Sequence, residues 1–254
     1  MIMDPTRRFS DRVANYIAYR PSYPAGVLDV LVQGCGLTPE WKAADLGSGP
    51  GALTRLFLDH GCRVWGVEPN KAMREAAEEL LHDYPRFTSV DGRAEKTTLG
   101  AESVDLVVAG QAFHWFDRAA TRDECRRILK APRWAALVWN DRRLDSTPFL
   151  IDYEGLLQRY GTDYAAVNNK ATVDDDALTA FFGPAGYKEA VLDNAQILDF
   201  PALRGRLLSS SYTPQDGQTG HDEMLYTLHD IFNAHQADGA VSFDYDTRIF
   251  YGRL

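Results

Sequence analysis

The chain has 254 residues, 45% hydrophobic and 25% charged, which is enough to bury the core of one α/β domain, with room for a small lid. Its formal charge of −9 argues against nucleic acid as a main partner, because phosphate binding needs a basic footprint. Cys35, Cys62 and Cys125 are widely spaced and form no CxxC pair, so they read as reduced structural thiols rather than a disulfide framework or metal site.

No apolar run approaches about 18 residues, so no transmembrane helix is expected. The first residues are charged and aromatic and lack the apolar core of a signal peptide. A cytoplasmic protein, monomeric or homodimeric and without a membrane partner, is the expectation.

In chain order, Arg12 to Tyr19 reads as a helix, stopped because Pro21 disfavours helix at Arg20. Tyr16, Tyr19 and Tyr23 surround the cation of Arg20, either as a surface cation–π group or as an entry lid whose arginine meets a carboxylate. Residues 25–34 read as a helix with Val27, Leu28, Leu31 and Val32 on one face. Trp41 to Leu46 reads as a strand, followed by the loop Gly47-Ser48-Gly49-Pro50-Gly51 and a helix over 52–60. A second strand, 62–67, ends at Glu68-Pro69, and Asn70 can cap a helix that runs to about Tyr84. This helix is expected to turn Met73, Ala76, Ala77, Leu80 and Leu81 inward.

Strands follow at 87–90, 104–109 and 134–139, with a helix at 121–129. The run at 104–109, VDLVVA, is the most apolar of the strands, as a central parallel strand should be. Alternation of strand and helix over 41–140 implies a doubly wound parallel sheet, whose ligands bind at the carboxyl ends of the strands. Beyond Asn140 the rhythm breaks. Residues 141–185 and 202–237 read as helical cap elements, the second with a Gly-rich interruption near 217–220, and Asp174-Asp175-Asp176 either opens a helix or faces water. The runs 188–200 and 241–251 read as antiparallel edge strands. The expected organisation is one domain over 1–254, with a core at 25–140 and 186–254 and an N-terminal lid at 1–24. The fold class is a Rossmann-like, mostly parallel seven-stranded sheet with an antiparallel C-terminal strand.

Gly47, Gly49 and Gly51 crowd into five positions at a strand-to-helix turn, where backbone can turn sharply and lie against a ligand. Such a loop offers free N–H groups to a nucleotide-type cofactor. With Ala52 it satisfies the dinucleotide pattern, and Glu68, 21 residues after Gly47, suits a carboxylate that accepts from two ribose hydroxyls. Asp45 either merely caps the turn or separates the cofactors. A carboxylate two residues before the first glycine would repel a pyrophosphate but suit a cofactor with a sulfonium and an ammonium.

With Glu68, the run Ala44–Gly51 resembles motif I and the acidic site of class I S-adenosylmethionine-dependent methyltransferases. Val90–Glu95 resembles their adenine-binding stretch, and Ser103–Asp117 resembles motif IV of the type 11 subgroup. Tyr16…Tyr19-Arg20-Pro21-Ser22-Tyr23-Pro24, Ser210–Pro214 and Asp246–Arg248 with Tyr251-Gly252 are similar to its trans-aconitate and cantharidin methyltransferase-like members.

The resemblance implies that Gly47, Ser48, Gly49 and Gly51 pass along the methionine part of S-adenosyl-L-methionine, with Asp45 near its amino group. Glu68, Pro69 and Met73 would line the ribose side, and Arg93, Ala94 and Glu95 would bracket the adenine. Many relatives carry an acid where Arg93 stands. Arginine has no acceptor, so adenine recognition here would use backbone groups or Glu95. Gly110 and Gln111 would supply backbone near the methionine, and Tyr16 and Arg20 would hold the cofactor carboxylate or an acidic substrate. His114 is a candidate general base or a packing residue; Trp115 and Asn140 are candidate substrate contacts, with Phe113 and Phe116 as further aromatic walls. No metal is implied, and the product would be S-adenosyl-L-homocysteine. The expected reaction is methylation, on oxygen, of a small acidic or partly apolar molecule. An NAD(P)-dependent oxidoreductase and a non-catalytic S-adenosylmethionine-binding protein are the alternatives.

Overall fold

The computed structural model describes residues 17–164 and 175–254. Tyr16, most of the expected helix at 12–19 and Asp174 lie outside these residues. In chain order the elements are α1 (Gly26–Cys35), β1 (Lys42–Leu46), α2 (Ala52–Asp59), β2 (Arg63–Val67), α3 (Lys71–Leu80), β3 (Phe87–Val90), β4 (Val104–Gly110), α4 (Arg118–Ile128) and β5 (Leu129–Arg142). They continue with α5 (Pro148–Tyr160), α6 (Asp175–Phe182), β6 (Tyr187–Leu198), α7 (Phe200–Leu208), α8 (His221–His235) and β7 (Val241–Arg253).

The seven strands form one sheet in the order β3-β2-β1-β4-β5-β7-β6. The first five are parallel, whereas β7 runs antiparallel between β5 and β6. The chain order reverses between β1 and β4, so the crevice lies there, at the carboxyl ends of the strands. The expected Rossmann-like sheet is therefore the observed one.

One face of the sheet carries α1 and α2 through Val27, Leu31, Leu53 and Phe57; the other carries α4 and α6 through Cys125, Ile128, Leu178 and Phe181. β4 is buried on both faces, which explains its continuous apolar run. A third cluster joins α5, α7 and α8 to the ends of β6 and β7 through Leu150, Tyr153, Leu203, Leu228 and Phe243. This cap stands beyond the carboxyl end of β5, whose Arg142 pairs with Tyr245 of β7.

Several boundaries differ from the sequence expectation. Helix α3 stops at Leu80 rather than near Tyr84, and Leu80 is exposed while Leu81 turns back into the core. Helix α4 begins three residues early because the Asp117 side chain accepts from the Ala120 N–H and caps it. β5 extends to Arg142 because β7 pairs along it to that point, so the cap starts later than 141. The helical stretch over 202–237 is two helices, as its expected interruption near 217–220 implies, but the break is wider and runs over 209–220. Among the described residues, no helix is long and apolar enough to cross a membrane.

Candidate functional site

A cleft opens at the switch point. Gly47 and Gly49 from the loop after β1, Glu68, Pro69 and Asn70 after β2, and Met73 of α3 form one side. Arg93, Ala94 and Glu95 after β3, and Gly110, Gln111, Ala112, Trp115 and Phe116 after β4, form the other. Four separate loops thus converge because parallel strands bring their carboxyl ends to one edge.

The glycine loop is shaped by its neighbours. Gly47, Gly49 and Gly51 all have positive φ, at 65°, 54° and 91°. A Cβ on Gly51 would stand 2.7 Å from Leu81 Cδ1, and one on Gly47 would stand 2.7 Å from Ala112 Cβ. Gly49 meets nothing within 4 Å and so leaves bare backbone facing open space. The N–H groups, however, are spent within the protein. Gly47 and Ser48 donate to the Val67 carbonyl at 2.8 and 3.3 Å, and Gly51 donates to the Ser48 carbonyl at 3.0 Å. Gly49 donates to Glu68 Oε2 at 3.0 Å. The expectation of free N–H groups in this loop is therefore corrected: Pro50 has none, and the other four are satisfied.

Glu68 is held from both sides, since its other oxygen accepts from the Asn70 N–H at 2.8 Å. Each carboxylate oxygen retains a lone pair, enough for a vicinal diol to donate to both. Burial pushes the carboxyl above its ordinary value, opposed by the Asn70 and Gly49 amides and by Arg74. The Asn70 side chain caps α3 by accepting from the Met73 N–H at 3.1 Å, which fixes Met73 against the cleft. Asn70 was singled out in the sequence only as a cap; its place on the wall follows from its position one residue past the Glu68-Pro69 turn.

Asp45 does not line the cleft. It is fully buried beneath the loop, where its Oδ2 accepts from the Thr54 hydroxyl at 2.6 Å. Its Oδ1 is buried with no hydrogen-bond partner. Burial pushes the acid up to about 7; the Thr54 hydroxyl pulls it down and the Glu68 charge adds to the rise. An orphaned carboxylate oxygen at this place fits a cationic group above the loop, and does not fit a phosphate.

On the β4 side, Gln111 has φ of 53°, a conformation that costs a non-glycine residue about 1 kcal/mol or more. Its N–H donates to the Val138 carbonyl and its Nε2 to the Asn140 carbonyl, each at 2.9 Å, and these bonds hold the strained turn. A Cβ on Gly110 would lie 2.5 Å from the Tyr23 hydroxyl, so a side chain there would push Tyr23 aside. Glu95 accepts from the Asp117 N–H at 2.9 Å, tying the loop after β3 to the start of α4. Ala94 is buried, and the Arg93 and Lys96 backbones exchange two hydrogen bonds that close its turn.

The remaining predicted residues stand elsewhere. Ser48 and Gly51 belong to the loop but not to the cleft wall. Arg20 donates to the Ser209 carbonyl at 3.3 Å and so reaches toward the cap instead of the cleft. Asn140 is a buried junction: its Oδ1 accepts from Thr247 at 2.6 Å and from Asn194 at 3.2 Å, and its Nδ2 donates to the Ser22 carbonyl at 3.3 Å. Only its backbone carbonyl reaches the site, through Gln111. His114 stacks against Trp115 with ring centroids 4.8 Å apart and is not part of the cleft wall. Phe113 is a core residue instead of a wall, packed edge-on against Phe116, Trp139 and Phe181, because its 3-10 turn points it under the sheet. Trp115 and Phe116 are the aromatic surface that the cleft does possess.

The comparisons with known proteins bear on this arrangement. Residues 44–133 match the family described as methyltransferase domain. That segment is similar to a methyltransferase domain. An uncharacterized methyltransferase-like protein of Schizosaccharomyces pombe is 32% identical over 158 residues, covering 62% of this chain and 60% of the relative. The chain thus spans somewhat under two thirds of that relative. Among solved structures, a type II methyltransferase of Anaeromyxobacter dehalogenans, so assigned by inference in its description, superposes with a TM-score of 0.68 at 23% identity, covering 93% of this chain and 98% of that one. A geranyl diphosphate methyltransferase in complex with S-adenosylmethionine superposes with a TM-score of 0.51 at 14% identity, covering 91% and 85%. At these identities the two structures speak for the fold alone.

Proposed function

We propose that the chain transfers a methyl group from S-adenosyl-L-methionine to a small molecule, with an oxygen of an acidic or partly apolar acceptor as the receiving atom. The observation that carries the cofactor choice is the loop itself. Its four N–H groups are already bonded, three of them to carbonyls and one to Glu68, so none is left to cradle a pyrophosphate. The unpartnered Oδ1 of buried Asp45 adds a place for positive charge. Residues around the cleft fit the cofactor: Glu68 for the ribose diol, the Ala94 turn with Arg93 and Glu95 for the adenine, and Gly47, Gly110 and Gln111 for the methionine part.

The cofactor supplies an activated methyl group whose carbon–sulfur bond breaks as the electron pair returns to sulfur. With that leaving group, the chain's own task is alignment and exclusion of water. An acceptor carboxylate forms its new oxygen–carbon bond without giving up a proton, so no general base is required and His114 stays a packing residue of the Trp115 turn. Trp115 and Phe116 would offer the acceptor an apolar wall.

Calorimetric titration with S-adenosylhomocysteine and with NADH tests the cofactor. Binding of the first and not the second is expected; tight NADH binding alone would overturn the reading. Transfer of labelled methyl into a small-molecule extract tests the reaction. Label found only in tRNA or protein would sink the small-molecule acceptor, and cofactor binding without any labelled product would leave a non-catalytic binding protein.

A further inference from the structure

Behind the cleft wall, one guanidinium spans two of the four loops. Asn70 caps α3, and the first turn of that helix presents Met73 to the cleft and Arg74 to the gap between the ends of β2 and β3. Arg74 Nη1 donates to the Glu68 carbonyl at 2.9 Å, and its Nη2 donates to Asp91 Oδ2 at 2.8 Å. Glu68 stands on one side of the cleft; Asp91 opens the turn that places Arg93 and Ala94 on the other. The Arg74 side chain is 13% exposed, whereas that of Asp91 is 74% exposed.

An ion pair with so exposed a partner adds little to stability by itself. The guanidinium is in a different position, because it gives up most of its water and cannot shed its proton. It is fixed by the two oxygens it finds, and it holds those oxygens at one spacing in return. The sheet already joins β2 to β3 as far as the Glu68 N–H, which donates to the Val90 carbonyl at 3.1 Å. Beyond that bond the chain leaves the sheet in two separate loops. Arg74 continues the connection where the ladder ends, directly behind the residues that line the cleft.

We propose that Arg74 is a positioning residue of the cofactor cleft, a clamp that sets the spacing between Glu68 and the Arg93–Ala94 turn so that a ligand with both a ribose and a base is held across the two loops. Arg74 touches no ligand itself and acts through Glu68 and Asp91. The clamp rests on the cofactor reading only for the identity of what spans the loops. A ligand with a ribose and no base engages one loop alone and gains nothing from their spacing. Such a ligand separates a clamp from a residue that merely supports the fold.

The test is calorimetry of the 254-residue chain with S-adenosylhomocysteine and with S-ribosylhomocysteine, which lacks the base. Arg74→Met should weaken the first by about tenfold or more and the second by about threefold or less. Arg74→Lys keeps the charge, loses the fork and should fall between wild type and Arg74→Met. Asp91→Asn should weaken S-adenosylhomocysteine by about threefold, and by no further factor in the Arg74→Met background, because both changes open the same clamp. Affinity for S-adenosylhomocysteine within about threefold of wild type in Arg74→Met, equal losses for the two ligands, or independent losses from Arg74→Met and Asp91→Asn would overturn the assignment. If Arg74→Met does not fold, Asp91→Asn decides alone, and an unchanged ratio of the two affinities in it is equally fatal. Wild-type protein that binds neither ligand defeats the cofactor reading and the clamp with it. Wild-type binding that survives Arg74→Met defeats the clamp and leaves the cofactor reading standing.

Discussion

The two halves of the molecule handle buried charge in opposite ways. Under the glycine loop, the chain buries acids: Asp45 and Glu68 lie within one layer, both pushed above their ordinary values by desolvation, with Glu68 stabilised by two amides. In the cap it buries bases, Arg142 and Arg206, against a single glutamate. Each half can be tested by removing the charge it buries.

The largest effect is expected at Glu68. Truncation in Glu68→Ala removes the ribose acceptor and leaves the Gly49 and Asn70 N–H groups unpaired. Affinity for S-adenosylhomocysteine should fall by about 3 kcal/mol, two orders of magnitude or more, by calorimetry. A loss under tenfold would mean that the carboxylate merely ties the loop to β2.

Gly51→Ala comes next and tests the shape of the same loop. A side chain there meets Leu81 at 2.7 Å on a backbone with φ of 91°. Destabilisation of about 2 kcal/mol is expected in urea unfolding. Gly49 also has positive φ but faces open space. Gly49→Ala should therefore cost less stability and more cofactor affinity than Gly51→Ala, and a reversed order would show that the open space is not where the ligand lies.

Asp45 gives a pH signature. Its folded-state value of about 7 lies above the 3.8 of an ordinary aspartate, so the native protein retains a proton that the unfolded chain releases. The stability contributed by the neutral acid is fully present below about 4 and is lost as pH rises toward 7. A cofactor ammonium favours the ionised form, so affinity for S-adenosylhomocysteine should rise by about tenfold as pH passes upward through 7. In Asp45→Asn both dependences should flatten. A wild-type affinity that stays level across this range would detach Asp45 from the ligand.

Legibility divides along the same line. The cofactor half was readable because its signals are local: apolar runs buried on both faces of β4, glycines at three fixed offsets, and Glu68 at the end of the next strand. The sequence could not display where the loop's N–H groups go, since Val67 and Glu68 accept them across the sheet. Nor could it tell that Phe113 turns under the sheet while Trp115 and Phe116 face the cleft. In the cap, Arg142 and Arg206 sit in polar-looking stretches of ordinary composition. Only the pairing of Arg142 with Tyr245 and the docking of α7 bring them to one phenylalanine ring. Contacts from Arg206 and from Arg142 to Phe243 span 37 and 101 residues of sequence and leave no periodic mark, and so the cap side stayed dark while the glycine-loop side did not.

The smallest effect is expected at His114, on the turn after β4. Its ring lies against Trp115 and outside the cleft wall. If the acceptor oxygen is a carboxylate, it is already deprotonated at neutral pH, and a base would have no proton to take. His114→Ala should then change the rate of labelled methyl transfer by about threefold or less, through slackened packing of the Trp115 turn, and the pH profile should keep its shape. A loss of about a hundredfold, with a limb near the histidine range abolished in the variant, would identify a base after all. That outcome would point to a hydroxyl acceptor.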